Sequence, residues 1–454
     1  MSLDHISLWN SFLADVWCRR KLPQLLYYVK IPAAASAPLL QPPTQAKRWP
    51  VMIFSHGLGG TRNAYSHVTG SIASHGMIVI APEHRDGSAP ISYIRDNEGK
   101  QTKEVDYRKY PHQPSPEVYK GRDEQLKIRV WEIGCIHDAL LRMDAGTTLR
   151  NLAPNHGPRH THQKGVLTMF TNKLDVHTPG SISFAGHSFG SATTAQFVKS
   201  VYWHTHTTDE PTSSYRPILT LSSTSELARQ ITPSTPVFLL DLWTLPLRSP
   251  DTQWLWEKRM PCYSNNSSSP THLSASNVTN SSSAPVLAIL SEAFFKWRGN
   301  FSDTLALLAP PEGYTGGKAR LFYPRSSAHL SQSDFGVLFP WLTKKIFKAE
   351  EPERMLRLNV RAILQVLREN NIPVAATSDK DMEMEPEQNK TDQSRGDLKI
   401  LQTEGVRGWI SVPLDDAGSI RKSEDDRADE GTRETWSPQQ AVIGGEVMKG
   451  SRDG

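Results

Sequence analysis

One stretch limits the fold of this chain more than any other: "SISFAGHSFGSATTAQFVKSV", residues 181–201. An apolar run enters a G-x-S-x-G turn and a helix-forming run leaves it, so Ser188 must sit on a sharp strand-to-helix bend. Crowding at such a bend demands small neighbours, and Gly186, Gly190, Ser191 and Ala192 supply them. The same alternation recurs along the chain. "VMIF" ends in a glycine-rich turn, "NAYSHVTGSIASHG" reads as a helix stopped at Gly76, and "MIVIAPEHR" is a second apolar strand. In "DEQLKIRVWEIGCIHDALLRM", Leu126, Val130, Ile133, Ile136 and Leu140 recur at three- and four-residue steps, the signature of an amphipathic helix. "PVFLLDLW", "PVLAILSEAF" and the weaker "RLFYPRSSAH" complete the set of strands. Strands alternating with helices predict an α/β chain with a mostly parallel central sheet and helices on both faces.

The 454 residues divide into an expected catalytic domain at 1–350, a C-terminal helix at 351–376 and a charged tail at 377–454. The domain carries a low-complexity insertion at about 250–285, whose Ser/Asn/Thr-rich heart, residues 262–283, cannot build a core. The tail is expected to be largely disordered, apart from a brief "RGWISVPL". Net charge is +4 with basic and acidic residues interspersed, which makes no case for nucleic acid as a partner. Cys18, Cys135 and Cys262 are too few and too far apart for a disulfide framework, so a reducing compartment is expected. The N-terminus lacks the charged start and apolar core of a signal peptide, and no apolar run is long enough to span a bilayer. A cytoplasmic location, peripheral to membranes, follows from these readings. The N-x-S/T triplets opened by Asn266, Asn277, Asn280 and Asn300 then read as products of composition.

A strand–G-x-S-x-G–helix unit is the nucleophile elbow of the α/β-hydrolase fold, in which the acid and then the base follow the serine along the chain. A serine hydroxyl needs a histidine to take its proton, and the histidine needs a carboxylate to fix its tautomer. His204 and His206 come too soon after the elbow helix, and His272 lies in the insertion. His329, in "LFYPRSSAHLSQSDF", follows a strand and is the expected base. Two acids end strands: Asp241 after "PVFLL" and Glu292 after "LAILS". The strand-end rule leans toward Asp241 without removing Glu292, while Asp209, Asp251 and Asp334 compete less well. An oxyanion hole requires the N–H after the nucleophile, that of Phe189, and one from an early loop, here Leu58 in "SHGLGG". His156, His160, His162, His204 and His206 lie in polar stretches without acidic or cysteine partners at ligand spacing, so no metal and no cofactor are expected.

At this point the sequence resembles the platelet-activating factor acetylhydrolase family, plasma and type II intracellular. The resemblance rests on "FSHGLGGTRNAYSHVTGSIASHGMIVIAPEHRDGSAP", "GRDEQLKIRVWEI", "GHSFGSATT", "LLDLWTLPL" and "SSAHLSQSDF", and runs from about Leu22 to about Phe347. It implies Ser188 as nucleophile, Asp241 as acid, His329 as base, oxyanion N–H groups at Leu58 and Phe189, and no metal. It decides between Asp241 and Glu292 where strand position only leaned. It also implies a structural, hydrogen-bonded role for "EHRD", Glu83 to Asp86. Two departures stand out. The family carries more chain ahead of its HGLGG block than the roughly fifty residues here, so a truncated N-terminus lacking edge strands is expected. Ser191 stands where the family usually has a second glycine, which carries a modest cost if its φ is positive.

The leading functional expectation is a calcium-independent serine esterase that removes the short sn-2 acyl group of a phospholipid. A carboxylesterase for soluble esters keeps the same site, and a non-catalytic binding protein would need the site to be incomplete. Ile6, Trp9, Leu13 and Val16, with Phe12 and Trp17, share one helical face that either packs on the sheet or touches a lipid surface; inward packing is the commoner use of such a face.

Overall fold

The structure, a computed structural model, describes residues 29–34, 37–42, 47–152, 166–205, 215–222, 224–264, 283–378, 397–403 and 405–414. The expected N-terminal amphipathic helix, most of the Ser/Asn-rich insertion, the loop holding His156, His160 and His162, and most of the charged tail lie outside the described residues.

Apolar runs become strands where the sequence places them. These are β1 (Val51–Ser55), β2 (Ile78–Ile80), β5 (Ile182–His187), β6 (Val237–Leu240), β7 (Ser283–Ile289) and β8 (Lys318–Pro324). They pair in parallel in the order β2-β1-β5-β6-β7-β8, and β9 (Trp409–Ser411) adds to β8 antiparallel. A separate antiparallel ribbon, β3 (Ile91–Arg95) with β4 (Gln101–Asp106), stands outside this sheet.

Because side chains alternate along a strand, each strand feeds two cores. Val51, Ile53, Phe184, Val237 and Leu239 face one side. There they meet Leu126 and Val130 of α2 (Pro116–Asp144) and Phe197 and Val198 of α3 (Phe189–Tyr202). Met52, Phe54, Ala185, Phe238 and Leu240 face the other. There they meet Val68 and Ile72 of α1 (Ser66–Ser74) and Ile363 and Leu367 of α5 (Pro352–Glu369); α4 (Arg298–Leu308) adds Leu307 and Leu308 to the first core. This is the mostly parallel sheet with helices on both faces of an α/β-hydrolase fold, as expected. Helix α2 starts earlier than its apolar periodicity suggested, because the Ser115 hydroxyl caps the Val118 N–H at 3.2 Å and Pro116 takes the first turn. Among the described residues no helix is long and apolar enough to cross a membrane.

Residues 397–403 and 405–414 return to the body of the molecule. Trp409 of β9 is buried, stacks on Phe322 of β8 with ring centroids 5.3 Å apart, and donates its indole N–H to the Ile400 carbonyl at 2.8 Å.

Candidate active site

Strand β5 is central, paired with β1 on one side and β6 on the other, and it ends at the bend. Ser188 has φ 56° and ψ −116°, a conformation that L-residues avoid unless the surroundings impose it. The two motif glycines explain how the bend closes. A Cβ on Gly190 would lie 1.9 Å from the Ser55 carbonyl oxygen, and one on Gly186 would lie 2.3 Å from the backbone of Gly190. Ser191, by contrast, has no positive φ, and its hydroxyl lies 2.6 Å from the Gly186 oxygen and 2.8 Å from the Leu240 oxygen. The conditional cost foreseen at this position therefore does not arise.

Three loops at the carboxyl ends of parallel strands converge on Ser188. His329, in the loop after β8, has Nε2 3.0 Å from the Ser188 Oγ and Nδ1 2.9 Å from Asp241 Oδ2. Asp241, directly after β6, is fully buried with φ 44°, and its second oxygen accepts the Ser291 N–H. Glu292 turns to other partners: it accepts the Ser326 N–H and pairs with Lys296 at 2.9 Å. With Nδ1–H directed at the carboxylate, the lone pair on Nε2 faces the serine hydroxyl, the arrangement that general-base removal of its proton requires.

The His329 ring is held between Phe294, stacked at 4.4 Å, and His187, also at 4.4 Å. Burial in this slot lowers its pKa from 6.5 to about 3, because the imidazolium loses its hydration. Burial likewise pushes the Asp241 carboxyl upward, against the lowering effects of His187 and of the hydrogen bonds from Ser291. A neutral imidazole ready to accept a proton is the result.

The turn at 56–60 lies against the bend, since a Cβ on Gly57 would be 3.1 Å from the Ser188 Cβ. Its N–H groups on either side of Leu58 are committed: Gly57 donates to the Tyr65 hydroxyl at 3.0 Å, and Gly59 to the Ser88 carbonyl at 2.7 Å. Tyr65 Oη in turn lies 2.9 Å from His187 Nδ1. Phe189 is the first residue of α3, where an N–H has no intrahelical acceptor. "EHRD" closes the back of this turn. His84 joins Ser55 Oγ at 2.8 Å to Glu132 at 2.7 Å, and Asp86 pairs with Arg129 at 2.8 Å.

Sequence reasoning missed Tyr65, His187, Phe294 and Arg129. His187 was in view inside the motif, and Arg129 as a charge beside Val130 on the apolar stripe of α2; nothing in the local pattern singled out Tyr65 or Phe294. Of the histidines set aside, His204 turns its Nδ1 to the Val201 carbonyl at 2.7 Å, while His156, His160, His162, His206 and His272 lie outside the described residues. His187, Asp241 and His329 bring ligand-type atoms within 4.8 Å of one another, but the Asp241–His329 members are joined by the hydrogen bond above.

The "Platelet-activating factor acetylhydrolase, isoform II" family matches residues 11–256, a span that holds Leu58, Ser188, Phe189 and Asp241 and stops short of His329. A Schizosaccharomyces pombe protein named "Putative phospholipase A2" is 27% identical over 82% of this chain and 76% of its own length. The platelet-activating factor acetylhydrolases of dog and guinea pig are 30% and 33% identical. Those alignments span 41% and 39% of this chain, and 39% and 37% of the dog and guinea-pig proteins. A solved ferulic acid esterase from Streptomyces cinnamoneus, 13% identical, superposes with a TM-score of 0.33 over 71% of this chain and 67% of its own, a likeness too slight to argue from.

Proposed function

The chain belongs to the platelet-activating factor acetylhydrolase, isoform II family, and from that premise we propose that it is a calcium-independent serine esterase acting on the short sn-2 acyl ester of phospholipids. The observation that carries the reading is the hydrogen-bonded line Asp241–His329–Ser188, at 2.9 and 3.0 Å, on a strained strand-to-helix bend.

In the proposed reaction Ser188 Oγ attacks the ester carbonyl carbon while His329 Nε2 takes its proton. The carbonyl oxygen becomes an oxyanion that accepts from the Leu58 and Phe189 N–H groups. The intermediate collapses, the carbon–oxygen bond to the glycerol backbone breaks, and His329 protonates the departing lyso-phospholipid. Water, deprotonated by His329, then attacks the acyl-serine and releases the carboxylate. Asp241 stays ionised and steadies the imidazolium formed in each half-reaction. The phospholipid is met at a lipid surface from the cytoplasm.

The test pairs a fluorophosphonate label with turnover. Wild-type protein should label at one serine, and Ser188→Ala should abolish both the label and hydrolysis. Phospholipids with graded sn-2 chains should be cut more slowly beyond short or oxidised chains, and faster than a water-soluble acetate ester. Full activity in Ser188→Ala overturns the mechanism, and a preference for the soluble ester overturns the substrate class.

A further inference from the structure

Arg129 is fully buried on the same stripe of α2 as Leu126 and Val130. A guanidinium in such a place is tolerated only when its donors are satisfied and its charge is paired. Its partners are not spread at random. Nε donates to Asp86 at 2.8 Å, and Nη2 donates to the Ser88 hydroxyl. Nη1 lies 2.9 Å from the His56 carbonyl oxygen and 3.2 Å from the Thr193 hydroxyl. The guanidinium carbon sits 4.4 Å over the Phe189 ring.

Three of these contacts reach the two arms that meet at Ser188, His56 on one and Phe189 and Thr193 on the other. His56 opens the turn holding Leu58, and Ser88, whose hydroxyl Arg129 grips, accepts the Gly59 N–H through its carbonyl at 2.7 Å. Phe189 opens α3, and Thr193, whose hydroxyl donates to the Phe189 carbonyl at 2.8 Å, stands one turn on. One arm leaves β1 and the other leaves β5, and Arg129 touches both. Tyr65 steadies the Gly57 N–H from the opposite side.

We propose that Arg129 is a positioning residue that sets the spacing between the Leu58 and Phe189 N–H groups by clamping both arms, with Asp86 as its anchor. The proposal rests on the reading of those two groups as the oxyanion hole. Donors that are fixed before the reaction need no reorganisation as charge develops, so loosening one arm lowers the rate of the chemical step without weakening ground-state binding. The planar fork is what spans the two arms; a lysine carries the charge but not the fork. The neighbouring Ser55–His84–Glu132 line resembles a Ser–His–acid set, yet Ser55 and His84 are 1% and 0% exposed. It packs behind the clamp, where no substrate reaches.

Two variants test this: Arg129→Lys, and the double variant Arg129→Met with Asp86→Asn, which removes both charges and leaves no orphaned carboxylate. Active sites are counted by fluorophosphonate labelling, and kcat per labelled site, KM and affinity for a trifluoromethyl ketone ester analogue are measured. Both variants should keep most of their labelled sites. The kcat per site should fall about 100-fold, KM should change less than about threefold, and analogue affinity should fall in parallel with kcat. A role confined to stability predicts fewer labelled sites with unchanged kcat per site, and that outcome overturns the proposal. If Arg129→Lys does not fold, the double variant decides alone. If neither accumulates folded, the clamp is a stability element and the proposal fails. Wild-type protein that does not label at Ser188 refutes the underlying esterase reading instead, so the two failures are distinguishable.

Discussion

Asp241 and Ser188 both hold a positive φ, 44° and 56°. Each costs a non-glycine residue about 1–3 kcal/mol, and such strain persists where the surrounding structure over-determines it. Both side chains are thereby aimed at His329, which is why the two acids compared at the sequence level should differ in effect. Asp241→Asn should lower kcat by roughly 10³- to 10⁴-fold with a small change in KM, because the imidazole loses the partner that fixes its tautomer. Glu292→Gln should stay within about threefold, since its carboxylate serves the Ser326 N–H and Lys296. Steady-state kinetics on one short-chain ester checks both. The pH profile is a second residue-scale test. Burial lowers His329 from 6.5 to about 3 and raises Asp241 from 3.8 to about 7, opposite shifts within one hydrogen-bonded pair that takes up its first proton as a unit. That proton removes the ionised-carboxylate, neutral-imidazole form the reaction needs, so activity should be full above the pair's higher value and the acid limb of kcat/KM should lie near pH 7; a limb near pH 3 would contradict the coupling.

At the scale of elements, the bend between β5 and α3 is held by contacts that leave its glycines little choice. A side chain at Gly190 would strike the end of β1, so the β1–β5 spacing depends on that residue. Ser191 is different, because its hydroxyl joins the carbonyl ends of β5 and β6. Ser191→Gly should lower unfolding free energy by about 1–2 kcal/mol, combining a lost hydrogen bond with added chain freedom. The kcat should remain within about twofold; denaturant titration and kinetics on the same preparation separate the two effects. A variant as stable as the parent would show that the hydroxyl contributes nothing. Sequence patterning captured β5, α3 and their turn completely, since local chemistry alone dictates a strand, a crowded turn and a helix. It did not reveal β3 and β4: β3 buries the polar Ser92 and exposes Ile91 and Tyr93, the reverse of the usual strand pattern, and β4 is exposed along most of its length.

Across the whole molecule, β9 completes the sheet by covering the outer edge of β8, with a helix at Leu398–Gln402 beside it. Trp409→Ala should cost about 3–5 kcal/mol through the cavity it leaves against Phe322, and ending the chain at residue 377 should cost at least as much. Thermal unfolding reads the loss, while kcat per labelled site should hold, because Trp409 packs on Phe322 and Ile400 and not on Ser188, Asp241 or His329. An unchanged melting temperature after truncation would mean that β9 is an ornament of the edge. A three-residue strand in a charged stretch carries too little pattern to announce itself, and only pairing with β8 makes it one. By itself the sequence determined the α/β alternation, the bend at Ser188 and the positions of Asp241 and His329 after their strands, because short-range periodicity and turn chemistry are written locally. The tertiary structure decided what no window of residues contains. It brought His329 to within hydrogen-bond reach of a serine 141 residues away, turned Asp241 rather than Glu292 toward it, and set Arg129 across the two arms of the turn. Those choices come from packing three loops at the ends of parallel strands, where distances are fixed by the sheet and not by the chain.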